Sequence, residues 1–79
     1  MNYTMLYFAS LRDAAGCDSE RIASGARDPR SLYGEIAARY RFTFVMEHLR
    51  VAVNGEFAPW DQALADGDEI AFLPPVSGG

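Results

Sequence analysis

The sequence predicts an α+β fold in which a mixed sheet packs on one main helix and an extended tail follows the last strand. Three observations predict it. One segment, opening at Asp28-Pro29, carries apolar residues at helical spacing, whereas the other apolar runs are short or alternating. Two turn signals, Asn54-Gly55 and Asp66-Gly67-Asp68, divide the second half into strands. Seventy-nine residues, 49% hydrophobic and 13% aromatic, suit one domain over 1–79 with a thin core, since a chain this small buries only about 60% of its unfolded surface.

Met1 to Ala9 is apolar or aromatic on both alternations, as expected of a central strand. Ser10 is placed to cap a short turn of helix, Leu11 to Ala15, ended by Gly16. Asp18 to Ala23 follows as a more polar strand with Ile22 as its anchor. After a loop, Asp28 caps the main helix and Pro29 takes its favoured first position, with the helix running to Arg41. Leu32, Tyr33, Ile36, Ala37 and Tyr40 form its buried stripe, although Gly34 costs about 1 kcal/mol in helix propensity against alanine. Phe42, Phe44, Val45 and Met46 are expected to fill the core from a connector without clear periodicity. Leu49 to Val53 alternates into Asn54-Gly55, so Glu56 to Ala58 returns as a short strand that Pro59 ends. Trp60 to Ala65 is a loop or a single helical turn, and Glu69 to Leu73 closes the sheet.

One helix covers one face of such a sheet, and side-chain parity names the residues left on the other. With Glu69 facing water, Ala71 and Leu73 share its side while Ile70 and Phe72 lie under the helix. In the hairpin Leu49, Val51 and Val53 face inward, and a two-residue turn leaves Phe57 outward at the expense of turning Glu56 in. The first strand cannot hide both Met5/Tyr7 and Leu6/Phe8. Phe57, Leu73 and either Phe8 or Tyr7 then form an apolar docking patch.

Composition excludes several functions. The net charge of −4, with seven scattered arginines and no lysine, gives no clustered cationic surface for nucleic acid; it favours a basic partner. Absence of lysine fits an arginine-preferring genome, and it also removes amines that would attack an activated terminus. A single cysteine, Cys17, makes no internal disulfide, and the cytoplasm is the expected compartment. No apolar run approaches a membrane span, and Met1-Asn2-Tyr3-Thr4 lacks the start of a signal peptide. No phosphate loop, dinucleotide fingerprint or metal motif occurs, and lone Cys17 and lone His48 supply neither a metal set nor a nucleophile with its base. Asp66 and Asp68 flank Gly67 as turn residues. Independent catalysis is not expected.

The end of the sequence carries the one suggestion of chemistry. Pro74 and Pro75 lack backbone N–H groups, so pairing stops there. Val76, Ser77 and Gly78 continue an extended tail, which the absence of a Cβ at Gly78 and Gly79 fits for threading a narrow channel. The Gly79 carboxylate is ionised at neutral pH and unreactive until a partner activates it. These features describe a carrier with a reactive end.

Val53-Asn54-Gly55, Asp66 to Phe72, Pro74 to Gly79, and Leu6-Tyr7-Phe8-Ala9 with Leu11-Arg12 together resemble the ubiquitin-like β-grasp proteins, and among them the MoaD family of molybdopterin synthase small subunits. The resemblance spans the chain and is most specific over the last fourteen residues; between Ser24 and His48 it rests on a helix of suitable length. It implies a sulfur carrier that is a non-catalytic subunit of a transferase and binds no cofactor itself. An adenylyltransferase would use ATP and Mg²⁺ to adenylate Gly79, and a sulfur donor enzyme would replace AMP to leave a thiocarboxylate. The tail would then enter the molybdopterin synthase large subunit, where the catalytic residues lie, and give sulfur to the pterin precursor. By position the resemblance assigns partner contacts to Phe8, Phe57 and Leu73, and a polar contact with the activating enzyme to Arg12. A carrier for thiamine or another thiolated product, a modifier joined to protein lysines, and a β-grasp interaction module with an inert tail are the alternatives.

Overall fold

The computed structural model describes residues 1–74. The chain order is β1 (Asn2–Tyr7), α1 (Ala9–Ala15), β2 (Ser19–Ala23), α2 (Pro29–Tyr40), a 3-10 turn (Met46–His48), β3 (Arg50–Val53), β4 (Glu56–Ala58) and β5 (Glu69–Leu73). The five strands form a sheet in the order β2-β1-β5-β3-β4. The β1 and β5 strands run parallel at its centre, and every other pairing is antiparallel. The expected mixed sheet on one main helix is therefore the observed one, with β1 central as its two apolar faces predict.

The main helix begins where the cap residues place it. Asp28 accepts from the Ser31 N–H at 2.8 Å, and Pro29 occupies the first turn, where its missing N–H leaves no bond unmade. The helix ends as Arg41 takes a left-handed conformation at φ 57°. Leu32, Tyr33 and Ile36 are buried, and Ala37 and Tyr40 are partly so. The core lies between this face and Tyr3, Met5, Tyr7, Val51, Ile70 and Phe72 of the sheet. Aromatic rings seal one end of it: Phe72 stacks on Trp60 with centroids 5.7 Å apart and meets Tyr33 edge-on at 5.1 Å.

Three local expectations differ. Ser10 does not cap α1; that position falls to Phe8, whose carbonyl accepts from the Leu11 N–H at 3.0 Å. The helix starts two residues earlier than expected, directly from the end of β1, and this delivers Leu11 to full burial. Val45 is half exposed at 50%, while Phe42, Phe44 and Met46 pack on the core. The connector holds only alternate residues inward, and Val45 falls on the wet side. Glu56 pairs with Val53 as parity requires, but it is exposed, because β4 is a three-residue strand at the edge of the sheet, left uncovered by the described residues.

Candidate functional site

The open face of the sheet follows from its register. Tyr3, Met5 and Tyr7 are buried under α2, so Leu6 and Phe8 turn to the other side, and Phe8 is 45% exposed. Leu6 stands beside Ala71, Ala71 beside Ala52, and Ala52 beside Phe57. Four strands thus contribute one apolar row, which ends on Phe57 at 59% exposure. Leu73 stands beside Arg50 one step along. Leu6, Phe8, Ala52, Ala71 and Leu73, with Gly55 and Glu69, line a groove of about 190 Å³. Small side chains at positions 52 and 71 make the floor of this groove, and larger ones make its walls.

The structure brings together three of the residues that the sequence singled out. Phe8 and Leu73 line the groove, and Phe57 extends it along the Ala52 row. Of the two candidates at the end of the first strand, Phe8, just past β1, is outward and Tyr7 is buried. Arg12 is not in the groove lining. It lies on α1, its Nε 3.7 Å from Asp18 Oδ1, and lines a separate polar depression with Asp13, Gly16 and Cys17. Pro74 is partly buried just past β5. Pro75, Val76, Ser77, Gly78 and Gly79, to which threading and chemistry were assigned, lie outside the described residues.

Sequence reasoning missed Arg50. Its guanidinium carbon sits 3.8 Å from the centre of the Phe57 ring. Alternation of Leu49, Val51 and Val53 inward already sends Arg50 and Ala52 outward, so parity was the available signal.

The remaining polar groups near β2 serve the fold. Glu20 accepts from the hydroxyls of Tyr7 and Tyr40 and lies 3.8 Å from Arg39. Burial, and then the bond to Glu20, push the Tyr7 hydroxyl far above the ordinary tyrosine range. Burial and the nearby Glu20 charge also push the Cys17 thiol up, away from the reactive thiolate. His48 is exposed in the 3-10 turn. Asp66 and Asp68 accept backbone N–H groups of Asn2 and Ala65, as turn residues do. Among the described residues no group of His, Cys, Asp and Glu is placed to hold a metal ion, and no helix is long and apolar enough to cross a membrane.

Comparison with known proteins agrees with this fold. The sequence pattern of the ThiS family matches residues 5–79. The chain is 37% identical to the molybdopterin synthase sulfur carrier subunit of Escherichia coli (strain K12), over 95% of this chain and 96% of that one. It is 40% identical to the subunit of the same name from Chlamydomonas reinhardtii, over the whole of both chains. Among solved structures, SAMP1 from Haloferax volcanii superposes with a TM-score of 0.80 at 29% identity, covering 100% of each chain. That fold is the ubiquitin-like β-grasp, with the sheet and main helix of this chain.

Proposed function

This chain belongs to the ThiS family, and on that premise we propose that it is the sulfur carrier subunit of a molybdopterin synthase. In this reading Gly79 is adenylated by an adenylyltransferase that consumes ATP with Mg²⁺, and a sulfur donor enzyme then converts it to a thiocarboxylate. The thiocarboxylate gives its sulfur to the pterin precursor in the large subunit, within the cytoplasm. Adenylation is needed because a carboxylate is resonance-stabilised and has no good leaving group; AMP supplies one.

The observation that carries the reading is the position of the apolar groove. It ends at Leu73, so a partner seated on Phe8, Leu73 and Phe57 meets the strand from which the sequence runs on to Gly78-Gly79. Docking there supplies affinity, and the following residues are free to supply chemistry. Full-length similarity to carrier subunits supports the same assignment. Adenylyltransferase and large subunit would use the groove in turn, with Arg12 contributing a polar contact to the first. Pro74, Pro75, Val76, Ser77 and Gly78 would thread the active sites.

The test is the intact mass of the chain after incubation with its adenylyltransferase, ATP and a sulfur donor. Replacement of one oxygen by sulfur at Gly79 is expected, and a variant lacking Gly79 should remain folded and unmodified. No mass change with an active enzyme would overturn the reading.

A second reading has its own support in the likeness to SAMP1, a small archaeal modifier protein. It predicts an isopeptide between Gly79 and protein lysines in cells.

A further inference from the structure

We propose that Arg50 is the charged determinant of docking on the open face, and that the partner seats a carboxylate against its guanidinium inside an otherwise apolar contact. The inference rests on the docking reading given above. It starts from the stack of Arg50 on Phe57, at 3.8 Å from guanidinium carbon to ring centre. Arg50 is also the cross-strand neighbour of Leu73, and Ala52 is the neighbour of Phe57. The guanidinium therefore stands beside the apolar row, at the end where the chain leaves the sheet.

Three consequences follow from that placement. A guanidinium held over a ring face by its carbon still has N–H donors at its rim, and their planar fork matches the two oxygens of a carboxylate. The stack holds the side chain in place before docking, so less freedom is lost when the contact forms. A partner covering Phe57 and Leu73 also strips water from Arg50, and a desolvated cation left without an acceptor is strongly unfavourable. Among the described residues no carboxylate lies within ion-pairing distance of Arg50. In this proposal the acceptor comes from the partner.

The local charge agrees, although the chain as a whole carries −4. Outward strand positions carry Arg21 and Arg50 against Glu69, and Glu69 lies beside Thr4, toward the other end of the groove. Whole-chain charge predicts a basic partner surface, but a cation set against Arg50 would repel it and misplace the contact. The partner surface at this point is acidic.

The experiment is titration of the full chain against the molybdopterin synthase large subunit of the same organism, across a range of salt. Arg50→Gln should weaken binding about tenfold and flatten its salt dependence, with unchanged thermal stability because the side chain is exposed. Arg50→Glu should weaken it about a hundredfold, and lysine in place of one acidic residue of the large subunit should restore it. Equal affinity for wild type, Arg50→Gln and Arg50→Glu would overturn the inference and leave the docking reading standing. Failure of the wild-type chain to bind that subunit would overturn both.

Discussion

Asn54 donates from Nδ2 to Asp68 Oδ1 at 3.0 Å, joining the β3–β4 turn to the turn that precedes β5. Its Oδ1 accepts from the Glu69 N–H at 2.9 Å, and its own N–H donates to the Glu69 carbonyl at 2.8 Å. Asn54 does this from φ 53°, a left-handed conformation that asparagine tolerates better than most residues. Asn54→Ala loses two side-chain bonds and adds backbone strain, so we expect about 2 kcal/mol of destabilisation in urea unfolding. Asn54→Gly should cost less, because glycine relieves the strain. Equal losses in the two variants would show that the backbone angle contributes nothing.

Asn54-Gly55 was legible in the sequence because a two-residue turn needs positive φ at both positions, and few residue pairs supply it. That turn set the pairing that leaves Phe57 outward, and the parity of β5 from Glu69 put Leu73 on the same open face. The start of α1 was not legible. Ser10 has the right chemistry for a cap, but burial of Leu11 sets the helix start, and this is a tertiary demand. Val45 and Glu56 were misplaced for a related reason: alternation gives a side, while exposure depends on whether an element covers that side. The Arg50–Phe57 stack joins two strands diagonally, and no spacing within either strand records it.

Gly34 lies in the interior of α2 on its exposed side, and a Cβ built there meets nothing within 4 Å. Alanine would narrow the unfolded ensemble without a steric penalty, so Gly34→Ala should stabilise by about 0.5–1 kcal/mol. In a domain of this size that is a rise of roughly 2–8 °C in Tm. A fall in Tm would mean that α2 needs the freedom of glycine there.

Tyr7 is raised above the usual tyrosine pKa by burial and by its bond to Glu20, and Tyr40 by its bond to Glu20 and then by burial. A raised folded pKa means that the unfolded chain loses its proton first. The stabilisation is thus fully present below about pH 10 and is lost as pH climbs from there toward the folded value. Chemical denaturation at a series of alkaline pH values should show the decline. Tyr7→Phe should lower neutral-pH stability by about 1–3 kcal/mol, since a bond to a charged acceptor is lost, and should make the alkaline slope shallower. An unchanged slope would assign the alkaline loss to other groups.

Phe57→Asp and Leu73→Asp should both weaken docking of the large subunit, by about 2 kcal/mol or roughly thirtyfold for Phe57. Phe57 is 59% exposed, so its loss should leave Tm nearly unchanged, whereas Leu73 is partly buried and its substitution should lower Tm modestly. Leu73 is also the cross-strand neighbour of Arg50. An aspartate at 73 would pair with Arg50 inside the chain and remove the cation from the partner. Leu73→Asp should therefore weaken docking more than Leu73→Asn. Adding Arg50→Gln to Leu73→Asp should change affinity little, although the same substitution in the wild-type chain is costly. Affinities measured around that four-member cycle decide the matter: independent, additive losses would show that Leu73 and Arg50 act separately in docking.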